Sequence, residues 1–216
     1  MYKITMKNRI LIKDEVYFVL IKNIVGPFRE NIICNYALKG SENTSKNINF
    51  NMDEIDTEVF GDSNFLDIEK VLVLNKYYSD RLLNIAFYDS NFLCNLDVMD
   101  YSLLVIKLTL NKNQMKDLFG KNYENEKMFD KYDEIKVNED NIKKIYKKNK
   151  IDPLIKYFFP SLNKSNLYII VIRDFFKFHK AGKKDISTYK NKFIQLLKKI
   201  TDYEHLINSN KENKEK

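Results

Sequence analysis

The sequence has no tryptophan and little cysteine, with only two cysteines among its 216 residues. Cys34 and Cys94 each lie in an apolar segment, and neither has a second cysteine or a histidine at metal-ligand spacing. Neither a disulfide framework nor a zinc site is therefore indicated. We interpret both residues as buried, reduced thiols.

Glycine is equally scarce, which bears on nucleotide binding. The five glycines occupy positions 26, 40, 61, 120 and 182, and no two lie close enough together to form a glycine-rich phosphate loop. Long apolar runs are also absent: no stretch approaches 18 uncharged apolar residues, and the first ten residues lack a signal-peptide core. These features predict a soluble, intracellular chain.

The chain carries a net charge of +7, with 37 basic and 30 acidic residues. An excess of this sign suits an anionic partner such as a nucleic acid or the inner face of a membrane. The abundance of Lys, Asn, Ile and Tyr is also typical of an AT-rich genome, with no function attached. Tyrosine and phenylalanine are not interleaved with arginine as in RNA-stacking modules, so no nucleic-acid partner is predicted.

Apolar runs rich in β-branched and aromatic residues predict four buried strands. They span residues 15–25, 32–38, 103–110 and 167–172. Stripes at helical spacing predict one helix from an N-cap at Ser79 to about Asp97 and another from about Thr188. Residues 42–63 predict a polar loop, and residues 111–165 predict a Lys/Asn-rich insertion with an apolar island at 154–162.

Two aspartates stand at the ends of predicted strands. Asp100 precedes the run that starts at Leu103, and Asp174 follows the run that ends at Ile172. Phosphoryl transfer uses one carboxylate near the attacking hydroxyl and another that holds magnesium against the phosphates. A carboxylate at a strand end is also common for purely structural reasons, and the spacing alone leaves both interpretations open.

The residues around Asp100 resemble the signature of the phosphatidylinositol phosphate kinases. The segment 89–105 reads DSNFLCNLDVMDYSLLV and contains the six-residue block MDYSLL. Other family marks lie on both sides of this segment in the expected order. The apolar strand YFVLIKNI and the block LKGS at 38–41 precede it, and the strand ending at Asp174 and the helix start ISTYKNKF come after it. The stretch SDRLLNIAFYDSNFLCNLDVMDYSLL looks most like the phosphatidylinositol 3-phosphate 5-kinase branch.

This resemblance implies an α+β fold, the C-terminal-lobe half of the kinase domain, with an antiparallel sheet flanked by helices. It implies a partial kinase domain over residues 1–207 and a disordered tail over 208–216. Asp100 would act at the inositol hydroxyl, Asp174 would bind Mg²⁺, and Lys39, Gly40 and Ser41 would lie near the ATP phosphates. Lys183 and Lys184 match a lysine pair of the family's activation loop, which contacts the lipid headgroup and the membrane.

The sequence also departs from the family. Ala37 replaces an aspartate, Arg173 replaces an apolar residue, and the segment between Asp174 and Tyr189 is short. No strand lysine or nucleotide-covering loop precedes Glu15, so we expect the nucleotide lobe to be largely missing. Two functions follow as alternatives. The first is a cytoplasmic lipid kinase, peripheral on endomembranes, of which this chain is a fragment or which another chain completes. The second is an inactive remnant that binds a membrane or a partner.

Overall fold

A four-stranded antiparallel sheet organises the part of the chain that the structure describes. The structure is a computed structural model, and it describes residues 25–40, 59–119, 157–162, 165–173 and 183–202. The strands lie in the order β1-β2-β4-β3. They are β1 (Ile32–Leu38), β2 (Ser102–Thr109), β3 (Phe158–Pro160) and β4 (Asn166–Arg173).

Helices lie on both faces of this sheet. They are a 3-10 helix (Gly26–Asn31) and the α-helices α1 (Asp62–Ile68), α2 (Lys76–Asn95), α3 (Lys112–Phe119) and α4 (Lys183–Ile200). Helix α2 packs against α4. The predicted α+β fold, with an antiparallel sheet flanked by helices, is confirmed.

The alternation of side chains along the central strands separates two cores. Leu103 and Val105 of β2 face the first core, which contains buried residues of α1, α2 and α4. Ile106 and Leu108 face the second core, formed with the 3-10 helix, α3, β3 and β4. Because both faces of β2 are buried, this strand reads in the sequence as a continuous apolar run.

Three of the predicted strands are confirmed within one or two residues. The run at 32–38 is β1, the run at 103–110 corresponds to β2, and the run at 167–172 corresponds to β4. The strand predicted at 15–25 falls almost entirely outside the described residues. The tail at 208–216 also lies outside them.

The predicted start of the first helix is wrong. Helix α2 begins at Lys76, and its N-cap is Asn75, whose side-chain oxygen accepts a hydrogen bond from the Tyr78 N–H at 2.9 Å. Asparagine and serine both cap helices, and the earlier cap also lets Tyr78 join the core. Ser79 therefore lies inside the first turn of the helix.

Two regions predicted as loop or insertion contribute to the core. The polar loop was expected to extend to Ser63, yet Phe60 pairs with Tyr36 as an isolated parallel bridge and α1 begins at Asp62. The apolar island of the predicted insertion includes β3, where Phe158 is opposite Ile169 of β4. Buried aromatic side chains account for both differences, since Phe60 and Phe158 are each at most 2% exposed.

A polar cluster lies on the first face of the sheet. Lys107 of β2 forms an ion pair with Glu69, with Nζ–oxygen distances of 2.7 and 2.8 Å to the two carboxylate oxygens. The Tyr36 hydroxyl donates to the same carboxylate at 3.3 Å. The cluster connects the C-terminal end of α1 to both β1 and β2.

Among the described helices, none is long and apolar enough to cross a membrane.

Candidate active site

The antiparallel register brings three sequence motifs to one end of the sheet. Leu38, the last residue of β1, is opposite Leu103, near the start of β2. Arg173, the last residue of β4, is opposite Ser102, the first residue of β2. In antiparallel neighbours the end of one strand lies beside the beginning of the next. Lys39 and Asp100, which flank these strand ends, are therefore placed side by side.

Lys39 and Asp100 form an ion pair in which the distance from Nζ to Oδ1 is 2.6 Å. The Lys39 side chain is 28% exposed and that of Asp100 is 34% exposed. Both groups are thus accessible to a substrate while remaining held by the protein. Phosphoryl transfer uses a carboxylate near the attacking hydroxyl and cations near the phosphates, and this pair contains one group of each kind.

The backbone around Asp100 has an uncommon conformation. Asp100 has a φ of 67°, and Asp97, three residues earlier, has a φ of 55°. This left-handed region is sparsely populated by residues other than glycine, and aspartate and asparagine tolerate it best. The turn between α2 and β2 therefore suits the acidic residue that the MDYSLL block places there.

A buried aspartate holds the backbone of Lys39. The backbone N–H of Lys39 donates to Oδ1 of Asp62 at 2.8 Å. Asp62 is the first residue of α1 and is only 7% exposed. This bond fixes the end of β1 at the point where the lysine side chain turns toward Asp100.

Gly40 brings the same turn into contact with α4. Its φ is 75°, and a Cβ added at this position would lie 2.7 Å from the carbonyl oxygen of Lys192. No side chain fits such a distance without displacing backbone atoms. Glycine is required here both for the left-handed conformation and for the close approach to the helix.

Residues of α4 also support the Asp100 turn. The Tyr189 hydroxyl donates to the carbonyl oxygen of Tyr101. The ring of Tyr101 packs edge-on against the rings of Tyr189 and Phe193, with centroid distances of 5.0 and 5.1 Å. Tyr101 is 1% exposed, and burial raises the pKa of its hydroxyl above the usual range. This ring is therefore a core residue directly next to the candidate catalytic residue.

Of the residues that the sequence predicts for the site, the structure brings together Lys39, Gly40 and Asp100. Ser41 and Asp174 lie outside the described residues. Lys183 and Lys184 are the first two residues of α4, so their backbone is helical rather than part of an extended loop.

Sequence reasoning missed Asp62 and the role of Tyr189. Asp62 is 23 residues from Lys39, and Tyr189 is 88 residues from Tyr101. Only the tertiary fold brings these pairs together. The one available signal was the position of Tyr189 in the family-like block ISTYKNKF, which identified a helix and gave no contact.

The described part of the chain contains no group of three or more acidic, histidine or cysteine side chains able to hold a metal ion. Asp100 contributes a single accessible carboxylate, and a carboxylate is a ligand type that Mg²⁺ accepts.

Strand β4 ends at Arg173, at the same end of the sheet as Asp100. The Nε of Arg173 donates a hydrogen bond to the Ser102 hydroxyl at 3.4 Å.

The antiparallel α+β fold, with Lys39 and Asp100 paired at one end of its sheet, is consistent with the catalytic domain of a lipid kinase. A family model described as phosphatidylinositol-4-phosphate 5-kinase matches residues 1–213, nearly the whole chain, and the chain belongs to this family. A search of curated proteins finds no match. The predicted membership of the phosphatidylinositol phosphate kinases is confirmed, and the 3-phosphate 5-kinase branch stays a prediction.

Proposed function

We propose that this chain transfers the γ-phosphate of ATP to an inositol hydroxyl of a phosphatidylinositol monophosphate, with Asp100 as the catalytic carboxylate. The observation that carries the proposal is the accessible pair of Lys39 and Asp100, 2.6 Å apart where β1 ends and β2 begins. Membership of a lipid kinase family supplies the reaction class. The pair supplies a base and a cation at one point on the surface.

In this mechanism the Asp100 carboxylate accepts the proton of the attacking hydroxyl. The hydroxyl oxygen forms a bond to the γ-phosphorus, the bond from that phosphorus to the bridging oxygen breaks, and ADP leaves with the electron pair. Lys39 stabilises the negative charge that develops on the transferred phosphoryl group. Phosphate binding to Lys39 would compete with the Asp100 carboxylate for the ammonium group and free that carboxylate to receive the proton.

Cofactor binding is part of the same proposal. Gly40 and Ser41 would line the phosphates together with Lys39, and Asp174 would be a ligand of Mg²⁺. Support comes from the register, since β4 ends at Arg173, beside the first residue of β2, and Asp174 is the next residue in the sequence. When bound, Mg²⁺ neutralises phosphate charge and orients the phosphoryl group.

We further propose phosphatidylinositol 3-phosphate as the substrate and the 3,5-bisphosphate as the product. The likeness of SDRLLNIAFYDSNFLCNLDVMDYSLL to the 3-phosphate 5-kinase branch supports this choice. The net charge of +7 favours peripheral contact with an anionic endomembrane surface, with Lys183 and Lys184 at the headgroup. The glycine-rich nucleotide loop is not in this sequence, and either the rest of a larger kinase or a second chain would supply it.

Phosphate transfer from labelled ATP to vesicles containing phosphatidylinositol 3-phosphate or 4-phosphate tests the proposal. The chain is purified from the cells that produce it, so that any partner is retained. Asp100→Asn preserves shape and removes the base, and we expect it to lower transfer on the order of a hundredfold or more. Asp117→Asn, at an exposed position of α3, is the matched control and should transfer normally.

Equal turnover by wild type and Asp100→Asn would refute the assignment of Asp100. Preference for the 4-phosphate would refute the choice of lipid. No transfer by the wild type, together with vesicle binding that weakens steeply with salt and does not depend on ATP, would favour the inactive binding module instead.

A further inference from the structure

Helix α4 contacts the two turns that carry the candidate catalytic pair. At the Lys39 turn, the carbonyl oxygen of Lys192 fills the space beside Gly40. At the Asp100 turn, the Tyr189 hydroxyl donates to the carbonyl oxygen of Tyr101. One helix therefore contacts both turns, in addition to the β1–β2 pairing that places them side by side.

We propose that Tyr189 is a positioning residue that holds the Asp100 carboxylate at its working place through the Tyr101 carbonyl. The inference rests on the proposed function, because it assigns a consequence for the same reaction. Tyr101 directly follows Asp100, and its carbonyl belongs to the peptide that joins Tyr101 to Ser102, so the bond fixes the chain one residue beyond the catalytic residue. Because β2 is held from Ser102 onward by its pairing with β4, rotation about the bond between the α-carbon and the carbonyl carbon of Tyr101 would turn the Asp100 side chain relative to Lys39.

The backbone of Asp100 makes such support necessary. Its φ of 67° lies in a region that costs an L-residue about 1–2 kcal/mol. A turn of this kind keeps its conformation only where its surroundings hold it. The Tyr189 hydroxyl provides that hold within one residue of Asp100, from a helix anchored by the buried residues Phe193 and Leu197.

The hydroxyl can be separated from the ring, which makes the role testable. The Tyr189 ring packs edge-on against Tyr101 with the planes at 86°, and Tyr189→Phe retains this contact. The hydrogen bond from the Tyr189 hydroxyl to the Tyr101 carbonyl is lost. We expect kcat to fall on the order of tenfold to a hundredfold, with KM for ATP nearly unchanged, because a displaced base weakens the transition state more than nucleotide binding.

The matched control is Tyr36→Phe. This change also removes a hydroxyl that donates a hydrogen bond inside the fold, here to Glu69 at 3.3 Å, in the polar cluster away from the site. We expect a comparable change in thermal stability and an unchanged kcat. A general effect of losing one internal hydrogen bond would instead lower kcat in both variants.

A second readout does not depend on activity. The sequence contains two Tyr-Ser dipeptides, Tyr78-Ser79 and Tyr101-Ser102. Labelling tyrosine with carbonyl ¹³C and serine with ¹⁵N therefore gives two carbonyl-amide correlations in the NMR spectrum. In Tyr189→Phe we expect the Tyr101 carbonyl signal to move, while the Tyr78 signal in α2 stays in place as an internal reference.

The outcomes separate this inference from the proposed function. An unmoved Tyr101 signal in Tyr189→Phe overturns the inference, and so does a moved signal with wild-type kcat. Absence of transfer by the wild type overturns the proposed function. In that case the NMR signal of the Asp100 carboxyl group, assigned by its loss in Asp100→Asn, tests the positioning role. In Tyr189→Phe this signal must move together with the Tyr101 carbonyl signal, and an unmoved Asp100 signal refutes the inference.

Discussion

At the scale of single residues, Gly40 shows how the site depends on close backbone contact. Substitution by alanine would force a residue with a Cβ to a φ of 75° and place that Cβ 2.7 Å from the Lys192 carbonyl oxygen. The left-handed conformation alone costs about 1–2 kcal/mol, and the clash adds to it. Because Lys39 precedes Gly40, a shift of the turn would also move the lysine away from Asp100.

We expect Gly40→Ala to lower the free energy of unfolding by about 2 kcal/mol or more, which corresponds to a loss of roughly 4–8 °C in Tm for a chain of this size. Thermal unfolding followed by circular dichroism measures it. Gly26→Ala is the control, since Gly26 lies in a 3-10 helix and does not have a positive φ. Equal losses in the two variants would show that the Lys192 contact does not constrain Gly40.

At the scale of elements, the pair of Glu69 and Lys107 joins α1 to the centre of the sheet. Their side chains are 12% and 17% exposed, so removal of one partner leaves the other largely buried without its charge partner. We expect Glu69→Gln to lower the free energy of unfolding by about 2–3 kcal/mol. Adding Lys107→Met should recover part of this loss, because the uncompensated ammonium is then gone.

Urea unfolding of the two single variants and the double variant gives the coupling energy of the pair. Asp80→Asn is the matched control, because it breaks an exposed ion pair. The side chain of Lys76 is 68% exposed and that of Asp80 is 56% exposed. That change should cost about 0.5 kcal/mol or less. A double variant as unstable as the sum of the single variants would show that Glu69 and Lys107 do not stabilise each other.

The elements differ in how far the sequence predicted them. Strands β1, β2 and β4 were predictable because continuous apolar runs have clear ends. The start of α2 was not, since Asn75 and Ser79 are both capping residues and only the burial of Tyr78 favours the earlier one. Helix α4 begins five residues before Thr188, and the sequence did not indicate this start because the first three residues of the helix, KKD, are charged.

The sequence likewise predicted only some residues of the candidate site. Lys39 and Asp100 were predictable from a family resemblance, and their contact follows from antiparallel pairing of β1 with β2. The supports from Asp62 and Tyr189 were not predictable, because they depend on where α1 and α4 pack in three dimensions. The candidate catalytic residues leave local patterns in the sequence, whereas the residues that hold them do not.

At the scale of the whole molecule, apolar exposure is concentrated on one helix. Among the described residues, the second half of α2 exposes Phe87, Tyr88 and Phe92, and its C-cap residue Leu96 is exposed as well, each at 48% or more. Grouped apolar side chains of this kind reduce solubility.

Buried ionisable groups predict how the whole molecule responds to alkaline pH. Burial is the largest cause that raises the pKa of Cys34, Tyr36, Tyr101 and Tyr168 above their ordinary values. In the unfolded chain these groups lose protons near pH 8.5 for cysteine and about pH 10 for tyrosine. Their stabilisation is therefore fully present below those values and is lost as the pH rises toward the raised pKa values of the folded state.

Each such group lowers the free energy of unfolding by about 1.4 kcal/mol per pH unit once the unfolded form is ionised. With the three buried tyrosines whose pKa is raised, we expect a loss of several kcal/mol between about pH 9 and pH 11, enough to approach the total stability of a typical domain. Urea unfolding at stepped pH measures the slope, and tyrosinate absorbance should rise together with unfolding.

Tyr168→Phe should make this slope of the unfolding free energy against pH shallower. The control is Tyr88→Phe, which makes the same chemical change at a position that is 73% exposed. An identical slope in wild type and Tyr168→Phe would show that burial of this hydroxyl does not contribute to alkaline unfolding.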